Sequence, residues 1–215
     1  PKERLFWPEV GLIEADGKGT LRNLTQSGYV DANPKWEMDG EMMIWISTQQ
    51  GNRTENGFIS EGDVFGMFFT QEAYDKYNLS KEDYALMKEQ EEDAKKKEEK
   101  DSKKEDSKDD KDNESKEVKP IVFDWDNLEK RKEKLTIHTS SASDYILSKD
   151  GDKLYYGTSF EGKDNIWVTD LRTKETKLLS KIGANIQSME RSKEGDFLLV
   201  LADGKPMKVK LEDGE

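Results

Sequence analysis

Along most of this chain apolar residues come in short bursts separated by turn-forming residues, the pattern of many brief β-strands rather than of long amphipathic helices. The clearest burst is in "KWEMDGEMMIWIS", from Lys35, where Asp39-Gly40 precedes the run Met42 to Ile46. The same layout returns in "ILSKDGDKLYYGTS" from Ile146 and in "ERSKEGDFLLVLA" from Glu190. Each has a short segment, an acidic residue followed by glycine, one or two further residues, and a strongly apolar strand. The acidic-glycine pair belongs to the turn. Hairpin turns of type I′ and its relatives need positive φ, which glycine adopts freely and Asp tolerates. Three β-hairpins are therefore predicted, turning at Gly40, Gly151 and Gly195.

Gly151 and Gly195 are 44 residues apart, within the period of about 40–45 residues of a four-stranded propeller blade. Gly40 and Gly151 are 111 residues apart, so an insertion of 67 residues beyond that period lies between them. The flanks repeat as well. "DNIWVTDLRTKETKLLSK" predicts strands at 165–171 and 177–180. "EVGLIEADGKGTLRNLTQ" predicts the same form near the start, with strands at 9–14 and 21–25 around a turn at 16–19. The tail "GKPMKVKL" is a third copy of the first of these strands. The fold expected is all-β, a partial β-propeller of about three blades of four-stranded antiparallel sheets. Residues 1–32 supply outer strands of a preceding blade and 33–138 a complete blade holding the insertion at about 71–118. Residues 142–181 form a second complete blade, and 184–215 the first strands of another. A closed ring takes four to eight blades, so this amount of chain is a slice with unpaired strand edges, which favours self-association.

The insertion changes period. "DVFGMFFTQ" is strand-like, whereas "LSKEDYALMKEQEEDAKKKEEK" is helical, with Ser80 and Asp83 at capping-box spacing. Ala73, Tyr74 and Tyr77, then Tyr84 and Met87, are spaced to dock the helical root on the blade. From Lys88 to Glu117 the chain has ten Lys and fourteen Asp plus Glu in thirty residues, with no aromatic and no β-branched residue. That run buries too little apolar surface to offset its ordering entropy, so the helix is expected to fray beyond about Lys88. "VKPIVFDWDNL" brings the chain back, and "EKLTIHT" supplies the last strand of the blade.

This tract explains an otherwise odd composition: 215 residues that are 38% charged and 33% hydrophobic, with a net charge of -12 and a mean hydropathy of -1.00. The acidic balance, with no basic aromatic-interleaved patch, argues against nucleic acid as a partner. No apolar run approaches the roughly 20 residues of a membrane span. The opening "PKERLFWPEV" has the look of an internal position and carries no signal peptide. With no cysteine, thiol catalysis, disulfides and Cys-ligated zinc are excluded.

Candidate chemistry is sparse. His138, the single histidine, stands in "IHTSSASD" with Ser140, Ser141, Ser143 and Asp144. A catalytic triad needs groups converging from separate elements, and adjacency in one loop is poor geometry for it, so this stretch is expected to link two blades. "GTSFE" from Gly157 departs from the G-x-S-x-G nucleophile elbow at Glu161, and it lies late in a strand rather than on a strand-to-helix turn. "KDGDK" and "DWDN" lack the spacing of a calcium loop, and turn chemistry accounts for Asp150 and Gly151. Trp36, Trp45, Trp125 and Trp167 are beside or in predicted strands and are expected to pack between blades, with Trp7 exposed. No catalytic, cofactor-binding or metal-binding residue is assigned, and no cofactor is expected.

"LTQSGYVDANPKWEMDG" resembles the repeats of TolB-like and tricorn-type propellers, whose hairpins commonly contain Pro-x-Trp-Ser-Pro-Asp-Gly. Here Glu37-Met38 replaces Ser-Pro, which keeps the turn and loses the fixed φ of proline. "FFTQEAYDKYNLSKEDYALMKEQEE", the acidic-basic tract and "IVFDWDNLEKRKEKLT" together resemble the bacterial tricorn-like serine peptidases, which carry such an insertion in the propeller. "LSKDGDKLYY" and "NIWVTDLRTKETKLL" resemble the blade that follows. The resemblance covers about residues 8–211. It implies a propeller ahead of a protease region that holds the Ser, His and carboxylate alongside a PDZ-like domain. None of those motifs can be placed in this sequence. The chain would then be a non-catalytic part of a peptidase, acting in substrate gating, enclosure or assembly. Its implied partners are a peptide or unfolded protein substrate, the remaining blades and the protease region, with a homo-oligomer left open and a periplasmic location implied, a cytoplasmic one being the alternative. The alternative is a TolB-like propeller module that binds protein or peptide partners.

Overall fold

The computed structural model describes residues 7–51, 61–102, 120–138, 141–159 and 162–211. Strands β1 (Gly11–Leu12) and β2 (Arg22–Asn23) form a short ladder. Sheet 1 is a meander of β3 (Asp31–Glu37), β4 (Met42–Ser47), β5 (Asp63–Phe68) and β6 (Lys132–Lys134). Sheet 2 repeats it with β7 (Ala142–Leu147), β8 (Lys153–Thr158), β9 (Asn165–Asp170) and β10 (Thr176–Ser180). Sheet 3 has β11 (Ile186–Arg191), β12 (Phe197–Ala202) and β13 (Lys205–Lys210). Every pairing is antiparallel. The sheets are stacked as in a propeller that is not closed.

Period-two alternation explains the stacking. In β4, Met42 and Ile44 face sheet 2, where Tyr145, Leu147, Leu154 and Tyr156 meet them. Met43 and Trp45 point the other way, onto Val10 and Leu24 from the β1–β2 segment. A strand buried on both faces must be apolar throughout, which is why "MMIWI" has no polar residue. Tyr155, Ile166 and Val168 of sheet 2 likewise pack on Met189, Leu198, Val200 and Ala202 of sheet 3. Beyond that, Leu199 and Leu201 are 48% and 37% exposed on the free face of sheet 3.

The turns differ in detail from two-residue type I′ hairpins. Gly151 and Gly195 do have positive φ, 74° and 90°. The hairpins close one step wider, however, with the Ser148 amide donating to the Lys153 carbonyl at 2.8 Å and that of Ser192 to Phe197 at 2.9 Å. The Ser148 hydroxyl accepts from the amides of Asp152 and Lys153, both at 3.0 Å, and the Ser192 hydroxyl from Phe197 at 3.1 Å. The signal is therefore Ser-Lys-acidic-Gly-Asp, in which the serine satisfies backbone donors that the wider loop leaves unpaired. At the first hairpin Met38, Asp39 and Gly40 all have positive φ, at 53°, 52° and 94°.

The strands expected at 9–14 and 21–25 shrink to two residues each. Side chains replace part of the ladder, since the Glu9 carboxylate accepts from the Asn23 side-chain amide at 2.5 Å and the Gly28 backbone amide at 3.0 Å. Trp45 is buried, but Trp36 and Trp125 are 45% and 41% exposed rather than packed between sheets. Both line an open cleft with Leu12, Ile13 and Arg22 of the β1–β2 segment, and the Arg22 guanidinium lies over the Trp125 ring, 4.2 Å from its centre. Trp36 forms an aromatic shelf with Phe69, at 5.4 Å between ring centres, and with Phe123, which stacks on Trp125 at 4.9 Å.

The β5–β6 connection carries helices α1 (Gln71–Tyr77) and α2 (Lys81–Ser102). Thr70 caps α1, accepting from the Ala73 amide at 3.1 Å. Ser80 accepts from the Asp83 amide at 3.1 Å at the start of α2. The helix runs on past the expected fraying point near Lys88 as far as Ser102, through a stretch of Glu, Gln, Ala and Lys, which are strong helix formers. The remainder of the charged tract lies outside the described residues.

Candidate functional site

The first strands of the three sheets, β3, β7 and β11, lie side by side at the axis of the stack. Between them opens a cleft of about 740 Å³ lined by Asn33, Lys35, Glu37, Ser143, Asp144, Gln187, Ser188, Glu190 and Arg191, among others. Charged side chains cross from sheet to sheet in its wall. The Lys35 ammonium donates to Asp144 at 2.6 Å and to the Tyr145 carbonyl at 2.9 Å. The other Asp144 oxygen accepts from the Met189 amide of sheet 3 at 2.6 Å. Glu37 accepts from the Leu147 amide at 3.1 Å, and its second oxygen is 3.8 Å from the Arg191 guanidinium. Arg191 in turn donates to the Leu147 carbonyl at 2.5 Å.

This lattice sets the spacing of the three first strands and decides what the wall can do. Lys35, Glu37, Asp144 and Arg191 are tied up by partners on neighbouring sheets. Asn33, Ser143, Gln187, Ser188 and Glu190 remain exposed at the cleft. They present amide, hydroxyl and one carboxylate group to an occupant, a set suited to hydrogen-bonding an extended main chain.

Burial pushes the Glu37 carboxyl above its ordinary 4.5, outweighing the Leu147 amide and the charges of Arg191 and Lys35. A carboxyl that holds its proton more tightly folded than unfolded contributes stability at acid pH. That contribution fades as pH climbs from about 4.5 through the raised folded value. Glu37→Gln removes the component. Urea unfolding at pH 4.5 and pH 7 is therefore expected to show the variant gaining stability relative to the parent at the higher pH. An identical difference at both pH values would contradict it.

Among the described residues around His138, side chains do not converge as a triad would. His138 is exposed after β6, Ser141 is exposed, and Ser143 reaches the axial cleft. Ser140 lies outside the described residues, and both Asp144 oxygens are engaged by Lys35 and Met189. Ser159 of "GTSFE" is exposed immediately past β8. Asp150 is at a turn and also binds Lys88 of α2 at 2.5 Å. Among the described residues no group of three or more His, Cys, Asp or Glu stands in a metal-binding arrangement, and no helix is long and apolar enough to cross a membrane. The cross-sheet pairs escape sequence reasoning because Lys35 and Asp144 are 109 residues apart. Only the shared position of the first strand in each repeat hints that such residues meet.

No protein-family description matches the sequence, and no curated protein does. Solved structures do match in fold. TolB from Acinetobacter baumannii superposes with a TM-score of 0.54 at 12% identity, over 95% of this chain and 35% of that one. A putative TolB from Agrobacterium tumefaciens gives 0.51 at 13% identity, over 100% and 57%. The tricorn protease gives 0.50 at 11% identity, over 94% and 18%. The chain thus spans less than two thirds of each of these proteins and shares with them a TolB-like propeller fold.

Proposed function

We propose that this chain is a non-catalytic propeller segment whose axial cleft takes an extended peptide or unfolded protein segment, and that it serves a tricorn-like serine peptidase by gating or enclosing substrate. The observation that carries the binding role is the cleft where β3, β7 and β11 converge. Its exposed amides and hydroxyls suit a polypeptide backbone, while its paired charges are committed to the scaffold and unsuited to proton transfer. The peptidase assignment rests on the resemblance of the insertion and its flanks, supported by the likeness in fold to the tricorn protease. The second reading is a TolB-like module whose cleft holds a peptide of a protein partner, favoured by the two TolB structures among the neighbours. Either reading is consistent with a periplasmic location.

Blade boundaries at 33–138, 142–181 and 184–215 follow from the same reading, each blade contributing its first strand to the cleft wall. The test is a titration with a fluorescent, permanently unfolded polypeptide, for which a Kd on the order of micromolar is expected. Trp introduced at Ser143 and Ser188 together would fill the cleft from two strands. The account predicts at least a roughly tenfold loss of affinity with unaltered thermal unfolding. Unchanged affinity in that variant, or no binding by the parent chain, would overturn the binding role.

A further inference from the structure

The insertion leaves from sheet 1, where Tyr74 and Tyr77 pack on Phe68 and Tyr74 donates to Glu133 at 2.6 Å, but it is also fastened to sheet 2, and there one side chain makes most of the polar attachment. Arg172 lies in the β9–β10 turn, which the Asp170 carboxylate shapes by accepting from the amides of Arg172 at 2.9 Å and Thr173 at 2.8 Å. From there one guanidinium nitrogen donates to the carbonyls of Lys76, Tyr77 and Leu79, at 3.2, 3.1 and 3.1 Å. The other two nitrogens reach Asp152 of sheet 2, both at 3.3 Å. The same group covers the ring of Tyr84 in α2, 3.4 Å from its centre.

These contacts answer a definite need. The last carbonyls of a helix have no partner inside it and carry its negative dipole end. Arg172 supplies donors and positive charge there, while Asp152 balances the cation. Only 10% of its side chain is exposed, so salt screens this contact little. A second tier lies farther out, where Lys88 of α2 binds Asp150 at 2.5 Å and Asp152 at 3.1 Å. Burial works against the Lys88 charge, but hydrogen bonds to the two carboxylates hold its pKa above the ordinary lysine value. Lys174 adds a contact to the Tyr77 hydroxyl at 3.0 Å.

We propose that Arg172 is the pin of a latch that locks the insertion of sheet 1 onto the turns of sheet 2 and thereby fixes the direction in which the charged part of α2 projects. Past Lys88 the helix runs on for about 20 Å at 1.5 Å per residue. With its root pinned, that length is a rigid arm and not a tether. A partner that engages the arm is held in a set orientation to sheet 2, the sheet that contributes Ser143 and Asp144 to the axial cleft. Arg172 is a positioning residue in this scheme. Lysine does not replace it, since a single ammonium lacks the planar fork that spans the carbonyls and Asp152 while stacking on Tyr84.

The chain has no cysteine, so spin labels attach only where cysteine is introduced. Labels at Asp93 and Lys193 are expected to give a narrow distance distribution in the parent and a broad one in Arg172→Met. Arg172→Lys should restore the narrow form only in small part. Hydrogen exchange over Gln71 to Lys88 should quicken at least about tenfold in Arg172→Met, with β11 and β12 unaffected. Should that variant not fold, Lys88→Met removes only the outer tier. It is then expected to speed exchange in the first two turns of α2 while leaving α1 protected. An equally narrow distribution and unchanged exchange in Arg172→Met, or in its absence unchanged exchange in Lys88→Met, would overturn the latch.

Discussion

Tyr156→Ala is expected to destabilise the chain by about 3–5 kcal/mol, the usual cost of deleting a fully buried aromatic ring. Tyr156 lies on β8 and is fully buried among Met42, Ile44, Leu154 and their neighbours at the junction of sheets 1 and 2. Neither sheet can collapse into the void easily, since the cross-sheet pairs Lys35–Asp144 and Glu37–Arg191 fix the first strands at their spacing. A domain typically holds only about 5–15 kcal/mol in total, so the variant should unfold at much lower urea and melt roughly 10 °C or more below the parent. A loss under about 1 kcal/mol would mean that sheets 1 and 2 do not pack through this residue.

The second large effect concerns association. The chain should self-associate with rising concentration, and Leu199→Glu with Leu201→Glu should return it toward the monomer mass of 24.8 kDa. Leu198, Val200 and Ala202 of β12 are buried against sheet 2, so the alternate residues Phe197, Leu199 and Leu201 face the other way with no sheet over them among the described residues. The edge is better defended than the face. Lys205, Pro206, Lys208 and Lys210 on β13 are residues that discourage strand pairing, and the Lys208 ammonium covers the Phe197 ring at 3.5 Å. Paired glutamates therefore belong on the face. Sedimentation across a concentration series decides the matter. A parent chain that stays monomeric at the highest concentration would contradict the open-face account.

How much of this was legible depended on distance along the chain. The three hairpins could be read because their causes are local: a glycine at positive φ followed by an apolar run. The turns came out wider than expected because Ser148 and Ser192, at the head of each loop, outweigh the Asp-Gly pair in setting where the hairpin closes. Trp36 and Trp125 misled because tryptophan beside a strand usually packs inside, and nothing in their sequence neighbours records that they line an open cleft with the β1–β2 segment. The axial cleft was hinted at only by the shared position of the first strand in each repeat, and the latch was not legible at all. Both rest on charged residues from different sheets, and an isolated Lys35 or Arg172 in sequence is indistinguishable from solvated surface. Helix α2 outran its expected length for the opposite reason, since backbone propensity sustains it where no packing does.

The central claim is that these sheets are part of a larger ring whose cleft handles polypeptide for a peptidase. It is tested most directly by reading the coding frame on both sides of Pro1 and Glu215. The account predicts further hairpins of the Ser-Lys-acidic-Gly-Asp kind, building sheets to cover Trp36 and Leu199, and a downstream region with a serine nucleophile and its base. A frame that completes the ring and then stops would contradict the peptidase role and leave the binding module. A frame with no further hairpins would contradict the larger ring itself.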